Sequence, residues 1–283
     1  MIYNLSDKAT IKRILSEAGF TFKKSLGQNF LTDSFVCPEM ASAAADSQTG
    51  VIEIGPGIGV LTVELAKIAK RVIAVELDER LRPILAKTLE DFKNTSVIFS
   101  DVLKLDLNDI IKKNFSDCKR VTICANLPYY ITSPIIMSLL ESRLPVESIT
   151  VMVQKEAAER LCADIPGRDV GAVTLSAEYY AKRKFLFHVP RESFTPSPNV
   201  DSAVIQFELR KELDIKVSDE KKLFRLIRGA FEHRRKTLVN SVSASLGVEK
   251  EKILKALEGL GLECTVRAEQ ISLEQFAALS EIL

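Results

Sequence analysis

The sequence predicts a doubly wound α/β sheet followed by a small, all-helical second domain. Through the first two thirds of the chain, short runs rich in Val and Ile alternate with helical patterns, which is typical of buried parallel strands and their connecting helices. The pattern changes after Arg210, and from Glu220 to Leu283 it is helical, with periodic Leu, Ile and Phe. Glycines break that helical stretch at Gly247, Gly259 and Gly261. We therefore expect one domain over residues 1–210 and a second over residues 211–283, with a linker at 211–219.

The individual elements of the sheet follow from length, composition and flanking residues. Five strand candidates are apolar on both faces: Val51–Ile54, Val72–Glu76, Val97–Phe99, Val121–Ala125 and Ile149–Gln154. Helix candidates lie between them at Ile58–Ala69, Asp78–Leu89, Leu107–Lys113 and Ser133–Leu140. Two more strands, Lys182–Val189 and Ser202–Leu209, flank a segment too rich in proline for regular structure, Pro190–Asn199. We expect these two strands to form an antiparallel pair at the edge of the sheet.

Composition excludes several classes of protein. The 283 residues are 46% apolar and 27% charged, which is ordinary for a soluble globular chain. The sequence contains neither a long uncharged apolar run nor the apolar core of a signal peptide, so we expect a cytoplasmic protein without membrane association. Five cysteines without a CxxC pair, and two distant histidines, His188 and His233, argue against a disulfide framework or a metal site.

A glycine-rich turn joins the first predicted strand to the following helix. Gly55, Gly57 and Gly59 permit a tight turn and close approach of the backbone to a ligand. Their GxGxG spacing differs from the dinucleotide pattern GxGxxG, and Pro56 has no N–H to offer a pyrophosphate. The turn alone is weak evidence of a site, but it favours a ligand without phosphates.

Two acids follow the second and third strands. Glu76 ends the second strand, where ligand-contacting residues of open α/β sheets lie, and a carboxylate there can accept both hydroxyls of a ribose. Asp101, after the third strand, is placed to accept from an adenine amino group. A glycine turn and two acids, each after a successive strand, predict an adenosine pocket.

The segment Asn126–Thr132, with the sequence NLPYYIT, follows the fourth strand. An exocyclic aromatic amine is a poor nucleophile because its lone pair is delocalised into the ring. The Asn126 side-chain oxygen and the Leu127 carbonyl, held by rigid Pro128, can accept its two N–H bonds and so orient the lone pair toward a methyl group. Tyr129 offers a face on which an extruded base can stack. Taken alone, the segment fits a structural Asn-Pro turn at least as well.

Positive charge is concentrated near the C-terminus of a chain whose net charge is only +1. Residues 221–240 contain seven Lys and Arg against a single acid, Glu232. A local basic patch favours an oriented polyanion contact, although a solvated helix face is the alternative. The candidate residues for such a contact are Arg228, Arg234, Arg235 and Lys236, with Lys23 and Lys24 near the N-terminus.

The motifs together resemble the ribosomal RNA adenine dimethyltransferase family, in particular its bacterial small-subunit members. The resemblance covers nearly the whole chain. Its matching segments are LGQNFL at 26–31, EIGPGIGVLT at 53–62, VELD at 75–78, NLPY at 126–129, FTPSPNVDSA at 194–203 and EHRRKTL at 232–238.

The resemblance implies a Rossmann-like class I methyltransferase that uses S-adenosylmethionine and no metal. It implies transfer of two methyl groups to N6 of each of two adjacent adenosines near the 3′ end of 16S rRNA, within a partly assembled small subunit. The implied cofactor-binding residues are Asn29, Leu31, Gly55, Gly57, Glu76, Asp101 and Asn126. Phe194 is implied to stack on the target adenine opposite Tyr129, which completes a catalytic set of Asn126, Leu127, Pro128, Tyr129 and Phe194.

Three alternatives stay open. A large-subunit (23S) enzyme of the macrolide-resistance (Erm) type shares the chemistry, although the NLPY and FTPSPNVDSA segments favour the small-subunit enzyme. A DNA adenine methyltransferase would carry Pro-Pro-Tyr after its Asn or acid, and Leu127 departs from that pattern. A ribosome-assembly factor could bind RNA without catalysis. We expect a monomer, because the sequence has no apolar heptad.

Overall fold

The computed structural model describes residues 3–20 and 30–283, and the chain divides into two compact units. The first unit comprises Met1–Ala158 and Lys184–Leu209, and the second comprises Glu159–Arg183 and Arg210–Leu283. The boundary expected near residue 210 coincides with the start of the larger segment of the second unit. The segment Glu159–Arg183, which sequence analysis left in the first domain, groups with the helical unit instead.

The described residues contain a seven-stranded sheet and a separate two-stranded pair. The strands are β1 (Phe30–Leu31), β2 (Thr49–Ile54), β3 (Arg71–Glu76), β4 (Thr95–Phe99), β5 (Arg120–Asn126), β6 (Ser148–Gln154), β7 (Ala181–Val189), β8 (Phe194–Thr195) and β9 (Ser202–Leu209). The order in the large sheet is β4-β3-β2-β5-β6-β9-β7. Strands β2 to β6 are parallel, and β9 runs antiparallel to β6. The predicted doubly wound sheet is confirmed, and β7 and β9, the two strands predicted for its edge, are neighbours there.

Helices accompany the strands in the predicted alternation. Those that begin before residue 159 are α1 (Lys8–Glu17), α2 (Val36–Ala44), α3 (Val60–Ile68), α4 (Arg82–Thr88), α5 (Leu107–Asn114), α6 (Thr132–Glu141) and α7 (Lys155–Leu161). The later helices are α8 (Ala172–Tyr180), α9 (Glu220–Glu232), α10 (Leu238–Leu246), α11 (Lys250–Gly259) and α12 (Leu273–Ile282). Sequence analysis did not predict α1, α2, α7 or α8.

The central strands are buried on both faces, which is why they are apolar throughout. Ile52 on β2 and Ile123 on β5 are fully buried cross-strand neighbours, and α2 packs against α3, β5 and β6. The order of the strands along the chain reverses at β2: β3 and β4 follow it on one side, and β5 and β6 lie on the other, all parallel to it. In open α/β sheets the carboxyl ends of the strands at such a switch point form the ligand crevice.

The proline-rich segment Pro190–Asn199 contains regular structure, so the prediction for it was wrong. A short 3₁₀ turn at Arg191–Ser193 leads into β8, which pairs antiparallel with β1. The partner strand lies more than 160 residues earlier in the chain, and local composition carries no information on such pairing. In the described residues two X-Pro peptide bonds are cis, at Pro166 and at Pro196, which directly follows β8.

The helical unit obeys the end signals in its sequence. Asp219, the last residue of the predicted linker, caps α9 by accepting a hydrogen bond from the Lys222 N–H. Gly247 ends α10 in the left-handed conformation, with φ of 71°. Ser272 and Gln275 form a capping box at α12. None of the helices in the described residues has the length and apolarity that crossing a membrane requires.

Candidate functional site

The glycine turn after β2 is shaped by its backbone. Gly55, Gly57 and Gly59 have φ of 73°, 59° and 94°, in the region that favours glycine over residues with a Cβ. A Cβ on Gly57 would lie 3.3 Å from the ring of Phe30. The Gly55 N–H donates to the Val75 carbonyl at 2.9 Å, which fixes the turn against the end of β3. The turn therefore presents bare backbone to the adjoining cavity.

Glu76 ends β3 with its carboxylate turned toward that glycine turn. One oxygen accepts from the Gly57 N–H at 3.1 Å and the other from the Asp78 N–H at 2.8 Å. Burial raises the pKa of Glu76, and these two hydrogen bonds oppose the increase. Each oxygen keeps a second lone pair, so the carboxylate can accept two further hydrogen bonds from a ligand.

Asp78 and Asp101 flank the same cavity as Glu76. Asp78 is buried and forms a bidentate pair with Arg80, at 2.8 and 2.6 Å, which supports the turn after β3. Asp101 follows β4 and accepts from the Leu103 N–H at 3.1 Å. Its side chain is one-third exposed, so part of the carboxylate faces outward and can accept from a ligand.

The NLPY segment is held to the sheet at two points. The Leu127 N–H donates to the Met152 carbonyl at 3.3 Å, and the Tyr129 hydroxyl lies 2.7 Å from the Ser202 hydroxyl. Burial raises the pKa of Tyr129, so its phenol is neutral at physiological pH. No hydrogen bond in the described part of the chain engages the side-chain amide of Asn126, which leaves its oxygen available.

Phe194 is almost fully buried, with 3% of its surface exposed. It pairs with Leu31 in the β1–β8 ladder. The ladder is extended by the Thr32 N–H, which donates to the Ser193 carbonyl at 2.7 Å, and by the Ser193 hydroxyl, which donates to Asp33 at 2.9 Å. The ladder thus connects β1, whose Leu31 lines the cavity, to β8, which carries Phe194.

The predicted cofactor and catalytic residues that the structure describes all line one cavity. They are Leu31, Gly55, Gly57, Glu76, Asp101, Asn126, Leu127, Pro128, Tyr129 and Phe194. Asn29 lies outside the described residues. Sequence analysis missed several further lining residues, among them Glu53, Cys37, Met40, Leu77 and Tyr130. An acid within the apolar strand VIEI was the one available signal for Glu53.

The predicted RNA-binding residues lie in the helical unit, except for Lys23 and Lys24, which fall outside the described residues. Arg228 is on the exposed face of α9, together with Lys221, Lys222 and Arg225. Arg234, Arg235 and Lys236 are exposed in the turn between α9 and α10. This run of three cations is therefore not helical. Within residues 3–20 and 30–283, no carboxylate pairs with Arg228, Arg235 or Lys236.

Arg234 differs from its neighbours. Its guanidinium donates to the carbonyls of Arg168 and Val170 at 3.0 and 3.2 Å. These contacts connect the turn after α9 to the loop before α8, inside the helical unit. Arg234 therefore has a structural role that its place in a basic run did not reveal.

The sheet and the cavity define a class of protein. A seven-stranded sheet of this order, with a glycine turn and then acids after successive strands, is the Rossmann-like fold of the class I S-adenosylmethionine-dependent methyltransferases. Residues 19–283 match the family model described as ribosomal RNA adenine dimethylase. The chain belongs to that family, which confirms the predicted enzyme class.

Individual relatives extend over almost the full length. The ribosomal RNA small subunit methyltransferase A of Bacillus licheniformis is 46% identical over 276 residues, which cover 96% of this chain and 94% of that protein. The protein of the same name from Streptococcus pneumoniae is 44% identical over 283 residues, covering 99% and 98%.

Solved structures agree with this family assignment. A dimethyladenosine transferase from Plasmodium falciparum has a TM-score of 0.73 at 27% identity, covering 88% of this chain and 95% of that one. The 23S rRNA methyltransferase ErmE has a TM-score of 0.68 at 26% identity, covering 90% and 99%.

Proposed function

We propose that this protein transfers methyl groups from S-adenosylmethionine to N6 of two adjacent adenosines near the 3′ end of 16S rRNA, giving N6,N6-dimethyladenosine. The observation that carries the proposal is the shared cavity, which combines two adenosine-binding acids with the NLPY segment. Curated relatives at 44–47% identity are named small-subunit methyltransferases, which supports this substrate over 23S rRNA.

The cavity suits the adenosine half of the cofactor. Glu76 has a free lone pair on each oxygen for the two ribose hydroxyls, and Asp101 can accept from the adenine amine. Gly55 and Gly57 leave the backbone accessible where a side chain would protrude, and Leu31 supplies an apolar wall. S-adenosylmethionine supplies an electrophilic methyl group on a sulfonium, which is a good leaving group, so no metal is needed.

Asn126 and the Leu127 carbonyl are the proposed acceptors for the adenine amine. Accepting both N–H bonds reduces the conjugation of the nitrogen lone pair with the ring, directs the lone pair toward the methyl group and stabilises the positive charge that grows on nitrogen. Pro128 limits the flexibility of the backbone between them and Tyr129. The hydrogen bond to Ser202 fixes the Tyr129 ring, and Phe194 lines the cavity as the second stacking surface.

The helical unit is the proposed contact for ribosomal RNA. Cations that pair with no carboxylate in the described residues are available for phosphates, and phosphate contacts provide a large share of the affinity of such complexes. We assign this role to Arg228, Arg235 and Lys236, with Lys23 and Lys24 as further candidates. For Arg234 the proposed RNA contact is limited to the guanidinium N–H groups that the backbone carbonyls leave free.

We place the activity in the cytoplasm, on a small subunit that is still being assembled, and expect the enzyme to act as a monomer. Two other functions make different predictions. An Erm-type enzyme would modify 23S rRNA, and a pure assembly factor would bind small subunits without methylating them. The paired acids of an adenosine site favour catalysis over a purely structural role.

The experiment is methyl transfer from labelled S-adenosylmethionine to purified ribosomal subunits that lack the modification. We expect label on the 16S rRNA of small subunits and none on large subunits. Label on 23S rRNA would support the Erm-type function. Binding to small subunits without any transfer of label would support the assembly factor.

A further inference from the structure

Large apolar side chains are exposed at the edge of the sheet that carries the cavity. Leu77 directly follows β3, Leu103 lies in the turn after β4 and Tyr130 in the turn after β5, and all three are exposed. A single exposed apolar residue is ordinary on a protein surface. Three of them after the carboxyl ends of strands that form a ligand crevice indicate a surface that ligands cover.

Tyr130 differs from the two leucines in its position across the sheet. The order β4-β3-β2-β5 puts the leucines beside Asp101 and Glu76, the proposed contacts of the cofactor's adenosine. Tyr130 belongs instead to the turn after β5, the strand that ends at Asn126, and it lines the cavity. The cofactor therefore accounts for the leucines, whereas Tyr130 lies on the side proposed for the RNA base.

The Tyr130 side chain has no internal contact that would require an aromatic residue. Within residues 3–20 and 30–283 its hydroxyl makes no hydrogen bond, and its ring contacts no other aromatic ring and no cation. The adjacent Tyr129, by contrast, is half-buried, and its hydroxyl lies 2.7 Å from that of Ser202. The ring of Tyr130 therefore contributes little to the fold and is available to a ligand.

The geometry of the turn separates the two tyrosines. Tyr129–Ile131 form a 3₁₀ turn, in which successive side chains point about 120° apart. An adenine held between Tyr129 and Phe194 thus cannot stack on Tyr130 as well. Extruding that adenine separates it from its neighbours in the RNA stack, which leaves one face of a neighbouring base uncovered. An exposed aromatic ring beside the target base can cover that face.

We propose that Tyr130 binds the base next to the target adenine by stacking, which gives the enzyme a second base subsite beside the methyl-transfer pocket. This inference rests on the proposed function. Stacking on an aromatic ring accepts any base, because every base has a flat π face. Since the two target adenosines are adjacent, the base on Tyr130 is itself an adenine during the reaction of one of them.

Two substitutions test whether the ring binds RNA. Tyr130→Leu keeps an apolar side chain but removes the flat face, so kcat/KM for unmodified small subunits should fall about 5- to 150-fold, the equivalent of one stacked base. Tyr130→Phe keeps the ring and should retain wild-type activity. Both variants should keep the wild-type affinity for S-adenosylmethionine and the wild-type Tm, because the side chain is 60% exposed.

Fluorescence reports the stacking directly. The sequence contains no tryptophan, so Tyr130→Trp introduces a single fluorophore that can still stack on a base. Its emission should be quenched when the variant binds unmodified small subunits, and the wild-type enzyme with the same subunits provides the background from ribosomal proteins. Phe35→Trp is the matched control, because Phe35 is 65% exposed and lies outside the cavity lining; it should show little quenching.

The outcomes distinguish this inference from the proposed function. Wild-type kcat/KM in Tyr130→Leu would overturn the inference, and so would an unquenched Tyr130→Trp protein that still methylates small subunits. Equal losses in Tyr130→Phe and Tyr130→Leu would also overturn it, because the hydroxyl rather than the ring would then be required. The proposed function fails instead if the wild type transfers no methyl group to small subunits.

Discussion

Replacing Glu76 by glutamine removes one charge from the cavity while keeping the length of the side chain. In the wild type each carboxylate oxygen already accepts one backbone N–H, from Gly57 and from Asp78. The glutamine amide group must therefore face one of these donors, and on that side it can no longer accept a ribose hydroxyl. One charge-assisted hydrogen bond is worth about 1.5–3 kcal/mol, so Kd for S-adenosylmethionine should rise about 10- to 150-fold.

Calorimetric titration measures this loss, and thermal unfolding checks the fold. Losing one internal hydrogen bond, about 1 kcal/mol, should lower Tm by only ~2–4 °C. Glu79→Gln is the matched control. Glu79 is three residues away and 73% exposed, and it makes only a long, solvent-exposed ion pair with Arg82, at 3.8 Å. A Glu76→Gln protein with wild-type affinity and wild-type Tm would refute the ribose-binding role.

Three further predictions concern the base site and the RNA contact. Asn126→Ala should cut turnover by about 10²-fold or more with nearly unchanged cofactor affinity; in single-turnover assays, a loss below tenfold would contradict its role. Ser202→Ala and Tyr129→Phe should each lower kcat. The double variant should lose no more activity than the less active single variant, because both changes remove the same hydrogen bond. Additive losses of activity would show that the two residues act independently. Changing Arg235 and Lys236 to Gln should reduce the salt dependence of subunit binding by about 1.4–1.8 in log–log slope, and an unchanged slope would assign both residues to the solvated surface.

The sheet could be predicted because its strands are buried on both faces. A strand such as Val51–Ile54 has to be apolar at nearly every position, and Gly55 after it marks where it ends. The acids at the strand ends were predictable for a related reason, since parallel strands bring their carboxyl ends to the same edge of a sheet. Position along the chain was therefore sufficient to place Glu76 and Asp101 in one cavity.

Features that depend on contacts between distant segments could not be predicted in this way. The pairing of Phe194 with Leu31 joins segments that lie far apart in sequence, and proline content pointed away from any strand there. The contacts of Arg234 with carbonyls near Val170 depend on the packing of Glu159–Arg183 into the helical unit. In each case the local composition gave no information about the distant partner.

Glu53 illustrates a different limit. A single acid in a strand is usually interpreted as a solvated position, and the glycine turn next to it drew attention to the backbone instead. Only the structure shows that this carboxyl is buried and that one of its oxygens has no hydrogen-bond partner among the described residues. The signal in the sequence was the charge itself, inside a strand that is otherwise apolar.

We expect the cavity to dimethylate two neighbouring adenosines of small-subunit RNA. The most direct measurement is mass spectrometry of the 3′ region of 16S rRNA after unmodified small subunits react with the enzyme and S-adenosylmethionine. We predict N6,N6-dimethyladenosine at two adjacent positions, four methyl groups in all, and none with Asn126→Ala. Methylation confined to a single adenosine, to another atom of the base or to 23S rRNA would contradict the account.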